Sequence, residues 1–357
     1  MNLRTIYLLL IALLAGIGSA RAQYSRHDDE PPPLECCTCG QYWRITAFCA
    51  PICGCYDPSK LQYYFYDRCR DCWVHSSFEA FLAADDPQVA TCFFLPGFEP
   101  ARRNSPEEYV ENATKGGWLI YNRVAPRNRP FRMVLFAWPA DRDKGERMLP
   151  DMREKLRLAE QYGWYLAWLM DQMHPQVPIG FVSDSLGAAT LTGAMHVLGG
   201  GTVSGVGLWR IHPDRRPPSA AMMASTMDNT WMSVNGRHGQ ALSAVDDILI
   251  TVNQKDRMLK LYVAVHIGEG RALGENGIAG SLGPYADRVR YLNAAPYVGG
   301  RHWWTAYLRS PPVVAAFRPY AFPLPEPYEE EMEMEEVVPE APTLPAPPRV
   351  ADSSSPR

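Results

Sequence analysis

Positive charge is not in surplus in this 357-residue chain: 35 lysines and arginines face 39 acidic residues, for a formal net charge of -4. No basic face is available to neutralise phosphates, which excludes nucleic acid as the main partner. Beyond the extreme N-terminus, no apolar run approaches the roughly 20 residues that a membrane-spanning helix needs. Internal repeats are lacking, and so is a Gly-rich phosphate-cradling loop of the Walker type. Gly199-Gly200-Gly201 follows a helical pattern instead of opening one, and reads as a helix cap and turn. At 46% hydrophobic and 21% charged, the chain falls outside the collagen-like, coiled-coil and wholly disordered classes. It is long enough to bury a full-sized core, as one large α/β domain or two ordinary ones.

The charge that is present lies unevenly. Residues 1–22 hold Arg4 and Arg21 and no acid, residues 321–357 hold nine acids and two arginines, and the body between them is left at +1. Arg4, the apolar stretch Ile6 to Ala15 and the small-x-small Ala20-Arg21-Ala22 predict a signal peptide over 1–22. The mature chain is then expected to start near Gln23, outside the cytoplasm and with no transmembrane segment; an uncleaved anchor is the alternative. The tail 321–357, with nine prolines and the run Glu329 to Glu336, cannot bury enough apolar surface to repay ordering and is expected to be disordered.

Eight of the nine cysteines fall between Cys36 and Cys72: Cys36, Cys37, Cys39, Cys49, Cys53, Cys55, Cys69 and Cys72. Such a cluster in an exported chain predicts a small disulfide-linked segment over 23–73, with the pairing open. The same thiol spacing would also suit zinc. Cys92, in an apolar run, is expected to be a buried free thiol.

Between 74 and 320 the periodicity alternates. Thr91 to Leu95, Arg132 to Trp138, Pro178 to Ser183, Ala220 to Ser225, Ile248 to Asn253 and Val289 to Asn293 read as strands. Ser105-Pro106-Glu107-Glu108 reads as a helix start. Met152, Leu156, Ala159, Gly163, Leu166 and Met170 form one helical stripe, and Gly187, Leu191, Ala194 and Leu198 another. Strands buried on both faces and separated by helices predict an α/β fold, a mostly parallel sheet with helices on both faces.

The chemistry is expected at Ser183-Asp184-Ser185-Leu186-Gly187, where a strand meets a helix. A serine there would sit on a strained turn with its hydroxyl above the sheet, flanked by small residues because the turn brings backbones together. It needs a base to take its proton and a carboxylate to orient the base. Asp256, past the strand Ile248 to Asn253, and His302, on the Gly-rich stretch Val298 to His302, follow in the order Ser, acid, His. Asp228 is the second candidate for the acid. An oxyanion would be held by the N–H groups of Leu186 and Phe98, the latter beside Gly97. Trp164-Tyr165 with Trp168, and Trp303-Trp304, read as core and lid packing before they read as an acyl pocket. The chain shows no cofactor motif, and no metal ligands are assigned to this site.

The order FFLPGF, RMVLFAWPAD, PIGFVSDSLGAATLTGAMHVLGGG, ILITVNQKD and YVGGRH resembles the α/β-hydrolase superfamily, and in particular exported bacterial α/β-hydrolase-like proteins. The resemblance spans roughly 75 to 320. It implies an α/β-hydrolase-like sheet with Ser185 as nucleophile, Asp256 as acid, His302 as base and Phe98 and Leu186 as oxyanion donors. Three positions depart from the pattern: Pro96 stands for a histidine, Ser183 for the elbow glycine, and Asp184 for an aromatic residue or histidine. The implied function is an exported serine hydrolase acting on a small-molecule or lipid-like acyl substrate. The rival expectations are a catalytically degenerate fold serving as a cell-surface or periplasmic binding protein, and a redox or metal protein built on the cysteines.

Overall fold

Among the described residues nine strands, numbered in chain order with their ranges given below, form one sheet in the order β3-β2-β1-β5-β4-β6-β7-β8-β9. The computed structural model describes Glu30 and residues 40–98, 105–141, 143, 148–264 and 270–325. The expected signal peptide, Cys36, Cys37, Cys39 and the acidic run of the tail lie outside the described residues.

The central strands are the apolar runs of the sequence. β4 (Ala90–Leu95), β5 (Phe131–Ala137), β6 (Ile179–Asp184), β7 (Ser219–Met223), β8 (Ile248–Val252) and β9 (Val289–Asn293) pair in parallel. β4, β5 and β6 are buried at every position, as strands covered on both faces must be. The connecting helices are α2 (Pro106–Arg123) after β4, α3 (Met148–Gln172) after β5 and α4 (Gly187–Leu198) after β6. Ser105 caps α2, its Oγ accepting from Glu108 N at 3.2 Å. α3 packs along α4, and α9 (Pro311–Ala321) lies on β6 and β7. The fold is therefore of the α/β class, with a mostly parallel sheet.

The segment expected to stand apart as a small Cys-rich unit instead supplies three strands. β1 (Gly40–Thr46) pairs in parallel with β5, Trp43 opposite Val134, and in antiparallel with β2 (Gln62–Asp67), which in turn pairs with β3 (Cys72–Ser76). Tyr42, Trp43, Ile45, Tyr63 and Tyr66 are buried; aromatic and β-branched residues of this kind fill a sheet face better than they fill a disulfide-linked loop. The described cysteines of the segment, Cys49, Cys53, Cys55, Cys69 and Cys72, are exposed free thiols, and Cys92 is a buried one. Trp164 stacks on Tyr56 with ring centroids 4.4 Å apart, and Trp168 meets Phe78 at 5.1 Å, so these aromatics pack against the same segment. Phe78 opens the short helix α1 (Phe78–Ala83).

The first residues of the expected disordered tail are instead part of the fold. Ala321 and Phe322 are buried, with the Phe322 ring 5.3 Å from that of Phe131. The described residues up to Pro325 belong to one compact unit.

The strand order explains where a site can form. The chain runs from β4 to β5 on one side, then back past β4 to β6 on the other. Connections that diverge in this way open a crevice beyond the C-terminal ends of the two strands. Those ends are Leu95-Pro96-Gly97 and Asp184-Ser185.

Candidate functional site

Ser185 follows the last residue of β6 and has φ +51°, a left-handed conformation that strains a residue with a side chain. The turn exists because its neighbours are small. A Cβ on Gly187 would come 2.1 Å from the Leu95 carbonyl oxygen, and one on Gly97 would come 2.5 Å from Ser185 Cβ and 3.0 Å from Leu186 N. Ser183, where a glycine would be usual, is fully buried within β6 and its hydroxyl has no hydrogen-bond partner. The turn closes despite it.

Asp256 and His302 come to Ser185 from separate loops. Ser185 Oγ lies 3.1 Å from His302 Nε2, and His302 Nδ1 lies 2.9 Å from Asp256 Oδ2. The other oxygen of Asp256 accepts from Met258 N at 2.8 Å and Leu259 N at 3.2 Å, so the carboxylate also caps α5 (Arg257–Ala264). Both of its oxygens are fixed, and the ring of His302 is fixed with them. Asn253 joins the two loops: its Nδ2 donates to Gly299 O at 2.9 Å and its Oδ1 accepts from Lys255 N at 3.0 Å. Such an array can carry a proton from hydroxyl to imidazole, with the carboxylate holding the tautomer.

Asp228, the second candidate acid, is engaged elsewhere. Its Oδ2 accepts from Trp231 Nε1 at 3.1 Å and its Oδ1 from Gly270 N at 2.9 Å. The carboxylate on His302 is that of Asp256. Leu186 and Phe98, the expected oxyanion donors, belong to the two sides of the Gly97 contact. Trp138, the tryptophan of the sequence WPAD, donates from Nε1 to Pro96 O at 2.9 Å and holds that loop from below.

Asp184 is buried beside the serine, with Oδ1 lacking a hydrogen-bond partner. Burial raises its carboxyl to about 7, opposed by His302 and reinforced by the charge of Asp256. A carboxyl raised in this way keeps part of its proton near neutrality, which lessens its repulsion of negative charge developing beside Ser185. Burial pulls the imidazole of His302 down, but Asp256 and then Asp184 outweigh it, and its pKa stands above the ordinary 6.5.

Two features escape sequence reasoning. Thr226, past β7, places Oγ1 3.1 Å from Ser185 Oγ; only the pairing of β6 with β7 brings it there. Asn253 carries a weak signal, an amide between a strand end and an acid. Among the described residues no group of three or more His, Cys, Asp or Glu is placed to hold a metal. No family model matches the chain, and no curated protein matches it.

Proposed function

We propose that this chain is an exported serine hydrolase, built on an α/β-hydrolase-like scaffold, that cleaves an ester or related acyl bond. One observation carries the reading: a left-handed serine at a strand-to-helix turn, in hydrogen-bond reach of an imidazole that a buried carboxylate orients. Ser185 Oγ attacks the acyl carbon as its proton passes to His302 Nε2. The developing oxyanion is held by the N–H groups of Leu186 and Phe98, which Gly97 allows to converge. His302 then gives its proton to the leaving oxygen, and the acyl-Ser185 ester is cleared by water activated at the same ring. Outside the cytoplasm the cysteines between Cys36 and Cys72 would pair as disulfides.

A fluorophosphonate probe tests this directly. The wild type is expected to be labelled, and Ser185→Ala and His302→Ala to be unlabelled with unchanged melting. Asp256→Asn is expected to lower the labelling rate by a factor on the order of 10^4, through loss of the correct tautomer. Asp228→Asn is expected to leave it within a few-fold. No labelling of folded wild type would favour the second reading, a degenerate fold used for binding, for which the carboxyl of Asp184 beside the serine is the specific argument.

A further inference from the structure

β6 and β7 are neighbours in the sheet, and each ends in a left-handed residue that is not glycine: Ser185 at φ +51° and Ala224 at φ +48°. The two turns interlock. Ser185 N donates to Met223 O at 3.1 Å, and Thr226 N donates to Ser185 O at 3.0 Å. Ala224 is itself pinned, its N–H donating to Thr251 Oγ1 at 3.3 Å, while Thr251 Oγ1 donates to Met222 O at 3.1 Å. The result places Thr226, nearly fully buried, with its hydroxyl against Ser185 Oγ.

The hydrogens can be assigned by counting. Thr226 Oγ1 donates its only hydrogen to Ala224 O at 3.0 Å. Towards Ser185 it is therefore an acceptor. Ser185 has one hydroxyl hydrogen and two acceptors within 3.1 Å, Thr226 Oγ1 and His302 Nε2. When His302 carries a proton on Nδ1 alone, Nε2 takes the serine hydrogen. When both ring nitrogens are protonated, Nε2–H donates to Ser185 Oγ, and the serine hydrogen turns to the other acceptor within reach, Thr226 Oγ1.

We infer that Thr226 is a positioning residue for Ser185, the acceptor that receives the serine hydrogen whenever His302 carries two protons. No bond to carbon changes and no proton leaves the pair; only the serine O–H rotates. Thr226 thereby favours the protonated ring and sets the pH at which the serine turns to its base. The other groups bearing on His302 are Asp256, from the loop after β8, and Asp184, at the end of β6. Tyr307, on α8 (Trp304–Leu308), is raised by burial and by those two carboxylates, and so stays neutral.

The kinetic consequence rests on the serine-hydrolase reading, whereas the hydrogen bond can be measured without it. The experiment is an NMR titration of the histidine rings in the full chain, with the His302 signal assigned by its loss in His302→Gln. Thr226→Val removes the acceptor and is expected to lower the His302 midpoint by about half a pH unit, the effect of one neutral hydrogen bond on one charge state. Thr226→Ser restores the hydroxyl and is expected to restore the wild-type midpoint. If the valine variant does not fold, Thr226→Ala replaces it. An unmoved midpoint in the folded variant, or an equal shift in Thr226→Ser, overturns the inference. The pH dependence of fluorophosphonate labelling is followed in parallel. Labelling whose acid limb falls with the NMR midpoint supports both readings. A folded wild type that titrates as expected but is never labelled overturns the hydrolase reading alone.

Discussion

Asp184 and His302 bear on each other's ionisation through their charges, and the sign of that influence decides how the site responds to pH. A base must be neutral to act, so the rate is expected to rise with pH through a midpoint above 6.5, the ordinary histidine value. Asp184 loses its proton near 7, and the anion then holds the imidazolium more tightly and opposes the oxyanion. Asp184→Asn removes both effects. Its acid limb is expected to move to lower pH, and its rate at neutral pH to rise about fivefold, equivalent to ~1 kcal/mol. Stability gives an independent check. The folded-state pKa of Asp184 is raised above its unfolded 3.8, so the folded protein binds the extra proton and that contribution is lost as pH rises through 7. Denaturant unfolding should therefore show Asp184→Asn gaining more over wild type at pH 8 than at pH 5; an equal gain at both would contradict a buried, titrating carboxyl.

Among the elements, β5 carries a charge that its apolar run conceals. Arg132 is 1% exposed, with Nε on Thr91 Oγ1 at 3.0 Å, Nη1 on Phe81 O at 3.0 Å and Nη2 paired with Asp85. Its guanidinium also lies over the Phe81 ring at 4.6 Å. The pair ties α1 to the N-terminal ends of the central strands β4 and β5. Asp85→Ala leaves a buried cation without its anion and is expected to cost about 3–5 kcal/mol, read by urea unfolding. Arg132→Met in the same background is expected to recover much of that loss, because an apolar side chain carries no desolvation penalty there. A second buried pair, Glu160 on α3 with His238, is joined from the surface by the exposed Arg237: His238 Nδ1 lies 2.8 Å from Thr192 Oγ1 on α4 and its Nε2 3.2 Å from Glu160 Oε2. It fixes the α3–α4 pair that stands behind the serine turn.

For the whole molecule, the last described residues, up to Pro325, are tied to the sheet and its loops. Arg129 Nη2 donates to Phe322 O at 2.7 Å and Arg216 Nη2 to Leu324 O at 2.6 Å, while the Phe322 ring is buried on Phe131. A chain ending at Tyr320 is expected to lose about 2–4 kcal/mol, from one buried aromatic ring and its neighbouring hydrogen bonds. A chain ending at Glu326 is expected to melt as the full chain does, since the composition of 327–357 offers little apolar surface to bury. Equal melting of the two shortened chains would contradict that loss. Among the described residues no helix is long and apolar enough to cross a membrane.

Sequence determined those features that are local or ordinal. Strand runs such as Val289 to Asn293, the Ser105 cap and the chain order Ser185, Asp256, His302 are legible because burial periodicity, capping chemistry and linear order are written residue by residue. Asp256 ranked ahead of Asp228 on the sequence, but both follow strands, and only the three-dimensional distance to His302 separates them. The membership of β1 to β3 in the sheet was hidden behind the cysteines, because strand pairing between Trp43 and Val134 is a long-range contact with no local trace. Thr226 at the serine, the burial of Arg132 and the raised carboxyl of Asp184 were likewise decided by tertiary structure alone. Each depends on which groups meet across the sheet and on how far water is kept from them, and neither quantity exists until the chain has folded.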